Sequence, residues 1–446
     1  MSVNSDAELG QLSETKLALH QARPRILSRP VAEIADVLGR VGERFSDPGD
    51  QLRRMALDKL PSEAKLSREL AEVVLDGMAA GWTREALSRL LQNEFANPAL
   101  LDGLVRAQQR GNDRSLLVPS VMAVGPTLCV QISSGSVPGV GVNALIRSLL
   151  VKAPTLIKPG AGDVVLTRLF AEALRDADTE LGSAVAVRYW SGEEEYELTE
   201  QAVAGADAVV VYGSDESVLS VRATVPASCR FIAYHHRFGV GIVGREKLKG
   251  SLTHLADEIA RAVAMFENRG CVSPQVLFLE RGGDVGVEAL EHLIAESLER
   301  LASEWPSHAE PVFTDRERAV LRQARDTIEI HEAAGSVRML HGDLENWTVV
   351  SELDLLQLPF LPGRSLRIRS AQNLEDVPSL LGGACRHIQS VGYAVDEDRV
   401  NDLAVLFGRA GASRFVPFDC MSFPPAWWLH DGQGPLRALI GWVEVQ

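Results

Sequence analysis

The sequence predicts an α/β protein with open parallel sheets in two lobes, preceded by a helical N-terminal segment. Three observations predict this. From about residue 116, short β-branched apolar runs alternate with stretches of helical periodicity, the pattern of a parallel sheet covered on both faces. The strand runs are almost continuously apolar, as burial on both faces requires. The chain has 446 residues, more than the ~250–300 at which a single core stops growing.

The elements follow in order. Residues 30–110, rich in Leu, Ala, Glu and Arg, carry apolar residues at helical spacing in "ELAEVVLDGMAAG" and "REALSRLLQNEF". From Leu116, "LLVPSVMAVGPTLCVQI" reads as strand broken by Pro119, Gly125 and Pro126. A helix at "VNALIRSLLVK", a strand at "PTLIK" and a helix over Val164 to Arg175 come next. The strand "AVAVRYW", the polar "SGEEEYELTEQAVAGA", the strand "DAVVVYG", a helix from "SDESVLSVRATV" and the strand "RFIAYH" complete the series. Leu252, Leu255, Ile259, Val263 and Phe266 then form one helical stripe. It ends in "ENRGC", followed by the strand "QVLFLE" and the charged helix "VGVEALEHLIAESLERLASEW". A second lobe extends to about Gly411, and "FPPAWWLHDGQGPL" reads as an ordered, turn-rich loop.

Composition is ordinary for a globular chain, 46% hydrophobic and 24% charged. A net charge of −15 argues against nucleic acid, whose phosphates demand clustered Lys and Arg. No run reaches the ~18 apolar residues of a membrane span, and the polar start lacks a signal-peptide core, so the expectation is a cytoplasmic protein without membrane insertion. The five cysteines are scattered, with no CxxC pair, and no metal site is expected. Cys129, Cys229, Cys385 and Cys420 sit in or beside apolar runs and read as structural.

Three glycine-bearing turns stand between strands and helices: "SSGSVPGVG" (Ser133 to Gly141), "KPGAGD" (Lys158 to Asp163) and "YGSDES" (Tyr212 to Ser217). Glycine lets backbone approach a ligand, and helix N-termini present N–H groups to anions, so three such turns at strand ends suggest a ligand crevice. Singly, each is equally a tight turn, and none is GxGxxG. Lys158 suits a ribose hydroxyl or phosphate, or is a solvated lysine. Cys271 lies between Gly270 and Ser273-Pro274, where a fixed, reachable thiol could be a nucleophile; the alternative is a buried structural cysteine.

Taken together, "GSVPG", "LIKPG", "VVVYGSDESV", "FENRGCVSP", "CRHIQSVG" and "WWLHDGQGPL" resemble, in family order, the LuxC-type acyl-CoA reductases of the aldehyde-dehydrogenase superfamily. The resemblance runs from about Val118 to the C-terminus. It implies an aldehyde-dehydrogenase-like fold: a helical segment over 1–115, a nicotinamide-cofactor domain over 116–245 and a catalytic domain over 246–412. Residues 413–446 would return to the cofactor lobe or to an oligomer interface. It further implies Cys271 as nucleophile, Lys158 on the adenosine ribose or its phosphate, Gly213 and Ser214 at the pyrophosphate, and the backbone from Ser133 along the nicotinamide. A homo-oligomer is implied as well.

Two departures from the superfamily pattern shape the expected chemistry. Ser136 stands where an asparagine usually donates to the oxyanion; its hydroxyl is shorter but still a donor. The segment that usually holds a glutamate base is "AYHHRFGVGIV", with Tyr234 at or near that position. Without the base, a thioacyl-enzyme resists hydrolysis and survives to accept hydride. Ala161 replaces a glutamate that binds the 2′-hydroxyl in NAD-preferring enzymes, so NADPH is favoured, NADH remaining possible, and Arg188 is a further phosphate candidate. The expected reaction takes acyl-CoA or an acyl-carrier protein to the aldehyde through a thioacyl-cysteine. His430, with Asp431 to orient it, is a candidate proton partner, or else part of a His-Asp-Gly turn under an aromatic lid. His235 and His236 are alternatives, or else residues that only pack near a strand end. The competing readings are a dehydrogenase of free aldehyde and a non-reducing acyl-binding scaffold.

Overall fold

The computed structural model describes residues 3–106, 119–191, 196–306, 313–343, 346–352 and 361–446. The strand onset expected at residues 116–118, and with it the boundary at 115/116, lies outside the described residues. The chain forms two compact units. One comprises residues 1–64, 75–235 and 425–446, the other 65–74 and 236–424.

The first unit is built on a five-stranded, wholly parallel sheet in the order Val185–Val187, Thr155–Lys158, Cys129–Ile132, Ala208–Tyr212, Arg230–Tyr234. The central strands are buried on both faces, which explains their unbroken apolar sequence. On one face, Leu12 and Leu19 of the N-terminal helix Val3–Leu27 join Leu128, Val130, Leu156 and Val209 in one core. A second helical layer centres on Phe45, Trp82 and Phe170, whose rings meet at 5.5, 5.8 and 5.9 Å. Helix Val31–Ser46 contributes Ile34, Leu38, Val41 and Phe45, spaced three and four apart on one stripe.

The expected helical stretch over 30–110 ends earlier than its periodicity suggested. The last α-helix there is Arg84–Glu94, and Val105–Arg106 pairs antiparallel with Ser120–Val124. Strand Gly441–Val445 lies on the other edge of Ser120–Val124, making a small three-stranded sheet. The strand expected over residues 184–190 is only Val185–Val187, and within the polar stretch after it Tyr196–Val203 is helical, burying Leu198, Ala202 and Val203. The C-terminal residues are fixed by Glu94, a buried carboxylate accepting from the backbone N–H of Leu436 and of Arg437 at 2.9 Å each.

The second unit carries a seven-stranded sheet in the order Val337–His341, Thr348–Glu352, Ser365–Ala371, Pro274–Glu280, Phe238–Val243, Ile388–Ala394, Arg414–Pro417. All described pairings are parallel except that of the first two strands. Helix Thr253–Ala264 packs on Val287–Glu304. Helix Asp315–Ala333 starts with a reciprocal cap in which Thr314 and Glu317 satisfy each other's backbone N–H. No helix among the described residues is long and apolar enough to cross a membrane.

Candidate active site

In the first unit the chain leaves strand Cys129–Ile132 for two strands on one side, then crosses to Ala208–Tyr212 on the other. The carboxyl ends of two strands at such a reversal are the usual ligand position in open α/β sheets. Ser133 follows the first strand and Gly213 and Ser214 follow the second; Lys158 ends the neighbouring strand Thr155–Lys158. Ser133, Ser136, Lys158, Gly213 and Ser214 are thus collected at one end of one sheet. Arg188 lies one strand further out, past Val185–Val187, where its guanidinium donates to Thr15 Oγ1 at 3.0 Å.

Two of the three glycine turns also pack against each other. A Cβ on Gly135 would sit 2.7 Å from Gly162 N, and one on Gly160 would lie 2.6 Å from Gly135 Cα. The glycines let "SSGSVPGVG" and "KPGAGD" pack backbone on backbone, turn against turn. The N-terminus of helix Val140–Leu150 is also taken, because the carboxylate of Asp163 accepts from Gly139 N and Gly141 N at 2.6 Å each. Glu63 does the same for Val164–Ala177, accepting from Val165 N at 2.9 and 3.0 Å. Internal carboxylates therefore occupy two helix starts that the sequence offered to an external anion. The turn at Gly213 differs: a Cβ there would meet only Ser217, at 3.2 Å. Ser214 caps helix Asp215–Thr224, accepting from Ser217 N.

Asp163 is a functional-looking residue that sequence reasoning missed. Burial pushes its carboxyl up from 3.8 to about 8, against the opposing pull of the Gly141 and Gly139 N–H groups and with help from Glu63. The folded state thus keeps a proton that the unfolded chain releases. The group's contribution is fully present below about pH 4 and lost as pH rises toward 8. Thermal unfolding followed from about pH 5 to about pH 8 is expected to show stability falling, by at most ~1.4 kcal/mol per pH unit from this group. Asp163→Asn, which cannot titrate, is expected to flatten that slope; an unchanged slope would show that Asp163 ionises normally.

Ser133 is 4% exposed, so its backbone is what it presents to the crevice; its N–H donates to Lys158 O at 3.0 Å. Ser136 is exposed. Ser134 Oγ accepts from Ser136 N at 3.2 Å and donates to Ser136 Oγ at 3.1 Å, which leaves the Ser136 hydroxyl proton free to be donated elsewhere.

His430 also belongs to the first unit. Its ring stacks between Tyr234, at 4.3 Å, and Trp428, at 4.5 Å, and Tyr234 stacks in turn on Tyr212 at 4.5 Å. Asp431 Oδ1 lies 3.6 Å from His430 Nε2. Gln433 N donates to His430 O at 2.9 Å, so the His-Asp-Gly turn and the aromatic lid are both present around the imidazole. Tyr212 accepts from buried Arg147 at 3.3 Å. Burial drives the Tyr234 hydroxyl well above the ordinary tyrosine range, so it stays protonated and supplies no base. His235 and His236 do not pack as expected; both are exposed beyond the end of strand Arg230–Tyr234.

Cys271 lies in the second unit, three residues before strand Pro274–Glu280. None of the five cysteines is in a disulfide; Cys129, Cys229 and Cys385 are buried and Cys271 is half-buried. Cys420, expected to be structural, is exposed instead, in the turn after strand Arg414–Pro417. Arg414 is the cation shared by the two accessible thiols: it donates to Met421 O at 2.8 Å and to Cys420 O. Burial drags its pKa down to about 10, with Cys420 and Cys271 pulling the other way.

The approach to Cys271 is strained backbone. Phe266, Glu267 and Asn268 have φ of 55°, 54° and 56°, three consecutive non-glycine residues in the left-handed region. Each costs roughly 1–2 kcal/mol. Glu267, 3% exposed, is held by Arg364, 2% exposed, through Nε to Oε2 at 2.9 Å and Nη2 to Oε1 at 2.6 Å. Asn268 Nδ2 donates to Ser365 O at 2.7 Å, and Phe266 packs edge-on against Phe423 at 5.4 Å. This turn was not legible in the sequence, since "FEN" lacks the glycine that marks left-handed backbone.

The model of the family described as acyl-CoA reductase (LuxC) matches residues 26–442. A long-chain acyl-protein thioester reductase 2 from Photobacterium leiognathi is 20% identical over 256 residues, 56% of this chain and 50% of that protein. The chain thus spans about half the length of that relative. A long-chain acyl-protein thioester reductase from Photorhabdus luminescens is 20% identical over 424 residues, 92% of this chain and 81% of that protein. Among solved structures, an NAD-dependent benzaldehyde dehydrogenase from Corynebacterium glutamicum superposes with a TM-score of 0.73 at 14% identity, covering 98% of this chain and 90% of that one. An aldehyde dehydrogenase C variant from Pseudomonas syringae, complexed with NAD+ and octanal, gives 0.74 at 13%, covering 98% and 89%.

Proposed function

The chain belongs to the acyl-CoA reductase (LuxC) family and has the aldehyde-dehydrogenase fold, and from that premise we propose that it reduces long-chain acyl thioesters to aldehydes through a thioacyl intermediate on Cys271. The observation that carries the proposal is the Cys271 turn: a half-buried thiol on a strained, multiply held loop, the arrangement expected of a positioned nucleophile. The relatives named as acyl-protein thioester reductases favour a protein-bound acyl donor, with acyl-CoA the simpler surrogate.

Cys271 Sγ attacks the thioester carbonyl, the new C–S bond forms, and the donor thiol leaves with a proton that His430 supplies. Ser136 donates to the carbonyl oxygen as it gains charge. Tyr234, protonated and stacked, offers no base to activate water, so the thioacyl-enzyme persists. A nicotinamide cofactor fits the sheet end of the first unit: a Cβ at Gly213 would meet only the Ser217 side chain, Ser214 starts the adjoining helix, and Lys158 offers a cation for ribose or phosphate. When bound in its reduced form it supplies hydride to the acyl carbon. Ala161, with no carboxylate to repel a 2′-phosphate, favours NADPH over NADH. Cys271 is released as a thiolate when the aldehyde carbonyl forms.

The test is intact-protein mass after mixing with a long-chain acyl-CoA, before and after NADPH, for the parent protein, Cys271→Ala and His430→Phe. An acyl adduct absent in Cys271→Ala and discharged as aldehyde by NADPH is expected. His430→Phe keeps a stacking ring and is expected to be acylated and discharged more slowly. An adduct that NADPH leaves untouched would replace this proposal with an acyl-holding scaffold, and rapid acid formation would replace it with a hydrolase.

A further inference from the structure

We propose that the buried Glu267–Arg364 ion pair is a positioning device for the Cys271 thiol, holding the left-handed turn that carries it; this rests on the reading of Cys271 as acyl acceptor. Three successive left-handed residues are not self-sustaining, because each is disfavoured by its own Cβ. What holds them is remote in sequence. Arg364, 97 residues on, engages both carboxylate oxygens of Glu267 and also donates to Trp305 O at 2.9 Å. The next residue, Ser365, accepts from the Asn268 side chain at 2.7 Å. From the other side, Gln275 Nε2 donates to Asn268 O at 3.3 Å. Gln275 belongs to strand Pro274–Glu280, which pairs in parallel with Ser365–Ala371. The turn is therefore gripped at residue 268 by two adjacent strands and at residue 267 by Arg364, just before one of them, with Cys271 the next reactive side chain along.

Stability alone does not account for a charge pair at this place. A well-packed apolar pair of similar volume is commonly as stable as a buried ion pair or more so. What a bidentate guanidinium–carboxylate contact adds is direction: two parallel bonds fix the orientation of both groups. Arg364 touches neither thiol nor substrate, and acts through Glu267 and the turn.

Two variants separate positioning from folding. Arg364→Lys keeps the charge and loses the bidentate geometry. Glu267→Leu with Arg364→Met removes both charges together and leaves no buried ion unpaired. The rate of alkylation of Cys271 by iodoacetamide is measured by peptide mass, with exposed Cys420 of the same unit as internal reference and thermal melting as the control for folding. Since small misplacements of a reacting group cost large factors, the Cys271-to-Cys420 rate ratio is expected to change at least about tenfold in both variants while unfolding stays cooperative. Acylation by a long-chain acyl-CoA is expected to slow by a similar factor. Ratios within about twofold of the parent in the folded variants would overturn the proposal; if Arg364→Lys does not fold, the paired variant decides. Should the parent take no acyl group at all, the reading of Cys271 as acceptor fails, and the alkylation ratio still judges the clamp.

Discussion

Ser136→Asn is expected to raise reductive turnover by about tenfold and Ser136→Ala to lower it by a similar factor, since a well-placed oxyanion donor is worth ~10²–10³ and a short hydroxyl recovers only part of that. Ser136 Oγ accepts from Ser134, so its own proton points to another acceptor. Asparagine reaches further, and at this exposed position a longer side chain meets no packing constraint. Single-turnover aldehyde release, with acylation followed separately by mass, measures the effect. Equal rates for all three side chains would take Ser136 out of the mechanism.

Gly160→Ala should disable the first unit's ligand crevice while sparing the cysteine loop. The added Cβ overlaps Gly135 N and lies 2.6 Å from Gly135 Cα, and neither neighbour is a flexible side-chain tip that could swing away. Overpacking of this kind costs about 1–3 kcal/mol. Relief requires the turn bearing Ser136 to move off the turn that follows Lys158. NADPH binding, read by quenching of tryptophan fluorescence, is expected to weaken about tenfold for a loss near 1.4 kcal/mol. Alkylation of Cys271 by iodoacetamide is expected to be unchanged. Gly205→Ala, at a positive-φ glycine with open space around it, controls for the generic loss of a glycine.

The alternating architecture was legible because buried parallel strands leave an unmistakable apolar signature, as in "AVVVY" and "TLIK". Helix starts were legible where a side chain caps its own helix, as Ser214 does. They were misread where the cap comes from elsewhere. Nothing local in "SVPGVG" announces that Asp163 will fill that helix start, or that its glycines also admit another turn. The family was readable because several short motifs occur in the right order, and the family match over residues 26–442 agrees. What holds those motifs in place was not readable. The Glu267–Arg364 contact joins residues 97 apart, and neither end looks unusual alone. Cys420 was misjudged because its neighbours Phe418 and Met421 are indeed buried, while the 3-10 turn they anchor leaves the cysteine between them outside.

Residues 425–446 belong to the same unit as residues 3–64, with the whole second unit between them in sequence. On the ribosome this inverts the usual order, in which the N-terminal domain is finished first. The unit to which residues 3–64 belong must wait for residues 425–446 to emerge. Until they do, Glu94 lacks the Leu436 and Arg437 N–H groups that satisfy it, and strand Ser120–Val124 lacks its Gly441–Val445 neighbour. The second unit, whose strands all lie between residues 238 and 417, has every strand available earlier. The nascent chain therefore carries an open sheet edge and an unsatisfied buried carboxylate through most of its synthesis, the state in which a chaperone or a wrong strand would find it.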